Sequence, residues 1–168
     1  MTPAPIPDDE AERLQALEEL LLLDTPPDER YDRVVRFAAE QLDMPVALVS
    51  LVDGRRQWFK SRLGLEASET SRDISFCGHA IMSPELFVVE DASRDPRFAD
   101  NPLVTGDLHL RFYAGAPIST PGGHRIGTLC VIDSVPRQLG PVELAVLDAL
   151  RELVNEALAG GGDEGLPA

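Results

Sequence analysis

Residues 110–133 constrain this chain more than any other stretch, because they read as two strands turned back on each other. In the first, RFYAGAPIS at residues 111–119, alternation puts Phe112, Ala114, Ala116 and Ile118 on one face. Tyr113, Gly115 and Pro117 fall on the other. Pro121, Gly122 and Gly123 supply the turn, since proline presets φ and glycine tolerates φ > 0. The return, RIGTLCVID at residues 125–133, sets Ile126, Cys130 and Ile132 against Leu129 and Val131. A strand apolar on both sides belongs inside a sheet covered above and below. The small residues after Tyr113 leave the backbone open to close approach by a helix or a ligand. Arg111 and Tyr113 are the large polar groups of that half, and they are the first candidates for function.

The remaining elements fall around this hairpin. Residues 1–7, with Pro3, Pro5 and Pro7, read as a disordered tail. A helix is expected over residues 8–23, started by Asp8 and Asp9, striped by Leu14, Leu17 and Leu21, and stopped at Thr25-Pro26. A second runs over residues 28–42 with Tyr31, Val34, Val35, Ala38 and Leu42 inward. Residues 46–52 form a central strand and Asp53-Gly54 a hairpin turn. Residues 55–62 return as a more polar strand near an edge, carrying Trp58 and Phe59, and residues 64–72 are loop. Ser75 caps a short helix at 76–82 that holds Cys77 and His79 in its first turn. A strand at 86–90 and an irregular stretch at 91–106 follow. Within that stretch Asp95-Pro96 and Asn101-Pro102 each suit a single helical turn. A last helix covers residues 141–158, ended by the glycines at 160–162. Its seam of Leu147, Leu150, Val154 and Ala157 suits a partner helix. The pattern is α+β, with one domain over 8–159 and a second disordered tail at 160–168.

Charge narrows the function. The 168 residues hold 15 Lys and Arg against 29 Asp and Glu, a net charge of −14. Such a surface argues against nucleic acid and anionic membrane, which need basic patches, but leaves small anions open. No apolar run approaches the ~20 residues of a membrane span. The acidic N-terminus has no signal-peptide pattern, and two cysteines make no disulfide scaffold, so a reducing cytoplasm is expected.

Cys77 reads either as an activated thiol at a helix start or as a small packed residue. Cys130 reads as core. A metal needs three or four ligands; Cys77 and His79 offer two, and His109 and His124 sit in other segments, so no metal site is expected. Arg111 suits a carboxylate or phosphate ligand, or else an ion pair with Glu90, Asp91 or Asp95. Trp58 and Phe98 fit a pocket wall or the core.

Taken together, LDTPPDERYDRV, SLVDGRRQWFKS, SFCGHAI, VEDASRDPRFADNPLVTG and RFYAGAPI followed by GTLCVID resemble a GAF domain of the bacterial sensory type, over residues 14–158. The resemblance implies a PAS-like fold: an antiparallel sheet in the order 2-1-5-4-3, terminal helices on one face, and loops and short helices closing a pocket on the other. It implies a ligand site at Trp58, Cys77, His79, Asp91, Phe98, Arg111 and Tyr113. Bilin-binding members carry cysteine followed directly by histidine, whereas Gly78 intervenes here, so neither bilin nor haem is expected. No NKFDE-type set for cyclic nucleotides can be traced. The leading reading is a non-catalytic small-molecule sensor that acts through a signalling partner or as a homodimer built on its terminal helices. A thiol enzyme resembling the free methionine-(R)-sulfoxide reductases, resting on Cys77, is the alternative. A structural dimerisation module with a filled pocket is the third.

Overall fold

The all-apolar run at the centre of the chain becomes β1 (Val46–Val52), buried at every position. The computed structural model describes residues 1–160; of the tail expected at 160–168, Gly160 ends the last helix and the rest lies outside the described residues. A tight turn at Asp53-Gly54 leads to β2 (Arg56–Leu63), followed by the short β3 (Glu69–Ser71). The later strands are β4 (Phe87–Val89), β5 (Phe112–Ser119) and β6 (Arg125–Asp133). They form one sheet in the order β3-β2-β1-β6-β5-β4. Every neighbouring pair is antiparallel. The extra strand is β3, where sequence suggested loop. It covers the start of β2, so β2 is not the sheet edge there. The other five strands keep the expected order.

The helices are α1 (Glu10–Glu19), α2 (Glu29–Leu42), α3 (Phe76–Ala80), α4 (Pro102–Thr105) and α5 (Pro141–Gly160). The first ends well before Leu23: Leu21 lies at φ 55 with its side chain 81% exposed. Asp28 caps α2 by accepting from the Arg30 amide, and α2 lays Tyr31, Val34, Val35, Ala38 and Leu42 on the sheet. Leu147, Leu150, Val154 and Ala157 of α5 are buried in the same layer. That seam faces its own sheet, because the sheet's apolar side needs two helices to cover it. It is not available to a partner helix.

The second layer carries the cap. Val46, Leu48, Val52, Phe59, Tyr113, Cys130 and Ile132 of the sheet pack there against Phe76, Cys77, Phe98 and Val104. Two bulges reset the side-chain alternation. Lys60 is the extra residue of β2 between Ser61 and Phe59, and its ammonium turns to Thr25 Oγ1 and the Pro26 carbonyl, each at 2.7 Å. Ile126 is the extra residue of β6, so it packs in the helix layer rather than with Cys130 and Ile132.

The N-terminal residues, expected as a disordered tail, run along the cap. Thr2 N donates to the Arg97 carbonyl at 3.0 Å and Ala4 N to the Asp73 carbonyl at 3.2 Å. Ala4 is buried against Gly78, where an added Cβ would come within 2.6 Å of the alanine methyl.

Candidate functional site

Strand alternation builds the floor of the cap layer. Tyr113 of β5, Thr128 and Cys130 of β6, Ser50 of β1 and Gln57 of β2 all point to this side, and all are buried. Gly115 follows Tyr113 on the same face without a side chain. An added Cβ there would overlap the Tyr113 hydroxyl, so glycine is what lets the ring fold along its own strand. The hydroxyl then reaches Cys77, donating to Sγ at 3.2 Å, while Thr128 Oγ1 sits 3.0 Å from the same sulfur. Ser50 Oγ meets Gln57 Oε1 at 3.1 Å, and Gln57 Nε2 donates to Thr70 Oγ1 at 2.6 Å.

Above the floor stands the short helix α3, begun as expected by Ser75, whose hydroxyl accepts from the Gly78 amide at 3.1 Å. Its Phe76 ring stacks on Phe98 of the 91–106 loop, with centroids 4.0 Å apart, and tilts against Tyr113 at 5.3 Å. Arg97 lies over both Phe87 and Phe98, 5.2 and 5.1 Å from the ring centres. Asn101 fixes the loop: it is 1% exposed, accepts from the Leu103 amide to cap α4, and donates to the Ile74 carbonyl. Between cap and floor remains a cavity of about 20 Å³, touched by Leu48, Gln57, Cys77, Tyr113 and Cys130. That is room for one water-sized molecule.

The two thiols differ. Burial pushes the Cys77 thiol up, but hydrogen bonds from Cys130, Thr128, Tyr113 and Ser50 outweigh it and bring it down to about 7. The hydrogen bond to Cys77, reinforced by burial, pushes the Cys130 thiol well above its ordinary range. Tyr113 is also pushed up, chiefly by burial and then by the nearby sulfurs. The activation expected from a helix start is thus supplied by side chains of the sheet. Cys130, read as inert core, lines the same small cavity as Cys77.

The expected site residues do not all converge. Cys77, Phe98 and Tyr113 meet. His79 stands at the rim, its Nε2 3.2 Å from the Thr2 carbonyl and its ring edge-on to Phe98 at 4.8 Å. Burial lowers its pKa. Trp58 lies in the helix layer, on the other side of the sheet, because alternation turns Gln57 and Phe59 to the cap instead. Asp91 caps a turn, accepting from Ser93 N and Oγ, and lies 3.7 Å from Arg94. Arg111 donates to the Val104 and Leu110 carbonyls, each at 3.0 Å, and meets His109 Nδ1 at 3.2 Å. Its guanidinium braces the end of the loop and does not line the cavity. Thr128, Ser50 and Gln57 were not singled out from sequence, although alternation from Tyr113 and Cys130 pointed to Thr128.

A second polar centre was missed altogether. Glu10 of α1 bridges Arg13 at 2.9 Å and Arg72 at 2.5 Å, and those arginines are 1% and 2% exposed. Arg13 also donates to the Val52 carbonyl at 2.6 Å, and Arg72 to those of Asp53 and Gly54. The cluster ties α1 to the β1–β2 turn and to the segment entering α3. The two arginines hold Glu10 in a structural role; its carboxyl falls to about 2, burial opposing and the arginine hydrogen bonds prevailing.

An antiparallel sheet with helices on one face and a loop-and-short-helix cap over a polar floor defines a PAS-like α+β domain. Within that class the chain belongs to the GAF domain family, whose pattern matches residues 26–158. It is 42% identical over 157 residues to a cyclic di-GMP phosphodiesterase of Pseudomonas aeruginosa. The match takes in 92% of this chain and 26% of that protein, so the chain spans about a quarter of its relative. Among solved structures, the GAF domain of an Acinetobacter phosphoenolpyruvate-protein phosphotransferase superposes with a TM-score of 0.66 at 17% identity, covering 97% of this chain and 99% of that one. A free methionine-R-sulfoxide reductase from Neisseria meningitidis, in complex with its substrate, gives 0.64 at 16% identity, covering 99% and 100%. These two share the fold. No helix among the described residues is long and apolar enough to cross a membrane.

Proposed function

We propose that this chain is a regulatory GAF domain of second-messenger signalling, non-catalytic, which binds a small molecule beneath the 91–106 loop and acts through a partner or as a homodimer. The observation that carries the reading is the 42% identity, along nearly the whole chain, to about a quarter of a cyclic di-GMP phosphodiesterase. In this arrangement the chain corresponds to a region that adjusts an output activity. The cavity of about 20 Å³ is too small for an organic ligand, so binding requires the Phe76–Phe98 stack to part and the loop to lift. Assembly draws on the groove between α2 and α5, where Phe37 is 47% and Leu153 43% exposed beside Val34 and Leu150. Native mass spectrometry of freshly purified protein tests both parts, with one bound small molecule per chain and a dimer as the expected result. A bare chain whose unfolding temperature is unmoved by cyclic di-GMP, cyclic mononucleotides or a metabolite panel would overturn the sensor reading.

A second reading is favoured by the small cavity that Cys77 and Cys130 both line, a thiol pair of the kind a thiol-dependent reductase of free methionine sulfoxide would use. Turnover of that substrate, lost in Cys77→Ser, would establish it; no turnover by the reduced protein would remove it.

A further inference from the structure

Cys77 and Cys130 come from α3 and β6, yet both line one small cavity on the cap side of the sheet. Both thiols are free, and they are 2% and 0% exposed. Tyr113 donates to Cys77 Sγ, Thr128 lies in hydrogen-bond contact with it, and Cys130 lines the same small cavity. Donors converging on one sulfur favour its thiolate, the nucleophilic form. The neighbouring thiol, pushed the opposite way, keeps its proton. One sulfur is therefore set as the attacking group and the other as the group that resolves. The cavity of about 20 Å³ touches both and admits only the smallest molecules.

We propose that Cys77 and Cys130 form an oxidisable pair that reacts with a small hydroperoxide, hydrogen peroxide being the simplest, to close a Cys77–Cys130 disulfide. The Cys77 thiolate attacks one peroxide oxygen. The S–O bond forms, the O–O bond breaks, and hydroxide leaves to take up a proton as water. Cys77 is then a sulfenic acid, its sulfur oxidised by two electrons and the peroxide reduced by two. Cys130 attacks that sulfur. The S–S bond forms, the S–O bond breaks, and the Cys130 proton leaves with the hydroxyl as a second water. Disulfide geometry draws Cys77 toward Cys130 and away from Tyr113 and Thr128. The helix α3, which carries Phe76 and its stack on Phe98, shifts with it, so oxidation is registered at the cap. The proposal stands on the thiol pair and does not depend on whether a ligand binds.

The test treats the full chain, folded and reduced, with a few equivalents of hydrogen peroxide at neutral pH, then blocks free thiols with N-ethylmaleimide and maps the peptides by mass spectrometry. The expected product is an intramolecular Cys77–Cys130 link, formed at least about tenfold faster than in guanidinium-unfolded protein, because folding holds the two groups together. Cys130→Ser should accumulate a Cys77 sulfenic acid that dimedone captures. Tyr113→Phe, which removes one donor, should slow the reaction several-fold. Thiols that stay free in the folded chain while the unfolded chain reacts would overturn the proposal. So would dimedone capture first at Cys130, or links only between chains. If Cys130→Ser does not fold, brief dimedone trapping in the unaltered chain decides which sulfur is attacked first.

Discussion

Replacing Glu10 by glutamine isolates the ionic cluster that fastens α1 to the rest of the fold. The substitution keeps the shape of the side chain and removes its charge, while Arg13 and Arg72 stay almost wholly buried. Arg72 already has its Nε without a hydrogen-bond partner, so little is left to compensate it. The displacement of the Glu10 carboxyl from 4.5 to about 2 corresponds to about 3 kcal/mol at full effect. The Glu10 side chain keeps 20% exposure, and solvent screening brings the expected loss to about 2 kcal/mol. For a domain of this size that lowers the unfolding midpoint by roughly 4–8 °C. The sign with pH follows from linkage. Between about 4.5 and 2 the unfolded chain binds a proton at Glu10 that the folded chain does not, so stability falls as pH falls through that window. E10Q has no such proton to take up, and its stability should converge on that of the unaltered protein as pH approaches 2–3. Urea unfolding of both proteins between pH 7 and pH 3 measures this directly. Equal midpoints at pH 7, with parallel acid curves, would refute the assignment of Glu10 as the partner of two buried arginines.

Other expectations can be read from the same contacts. Asn101→Ala removes the α4 cap and the bond to Ile74, and should cost about 1–3 kcal/mol in denaturant unfolding. Gly115→Ala drives a methyl group into the Tyr113 hydroxyl; about 1–3 kcal/mol should be lost, and the titration of Cys77, followed by its ultraviolet thiolate absorbance, should move upward. Leu147→Ala opens a cavity in the helix layer and should cost about 2–5 kcal/mol without altering the oligomeric state, because this residue faces its own sheet. Leu153→Glu should change stability by less than about 0.5 kcal/mol yet abolish the proposed self-association in sedimentation velocity, since its side chain stands at the rim of the α2–α5 groove.

Much of the site was legible because it follows local rules. Ser75 as a cap, the short helix carrying Cys77, and the turn after Asn101 depend on side chains bonding backbone groups two or three residues away. The facing of Tyr113 with Cys130 depends only on strand alternation across a paired hairpin. Trp58 was misplaced because hairpin register, not composition, decides which of Gln57, Trp58 and Phe59 meets the cap. Arg111 was read as a ligand anchor or an ion-pair partner of Glu90, Asp91 or Asp95 because its chemistry suits an anion, but three uncharged acceptors of its own loop and strand lie within reach.

The sequence by itself determined the main helices, the two hairpins, the buried central strand and the family, because each rests on periodicity, turn chemistry and motifs written in neighbouring residues. The tertiary structure alone decided which partners distant residues acquired. Glu10 meets Arg72 and Cys77 meets Tyr113 across long separations in the chain, with Cys130 on the same cavity. The seam on α5 is spent on its own sheet rather than on a second chain. No local pattern specifies such pairings, for they are fixed by the way two covered sheet faces divide the side chains between them.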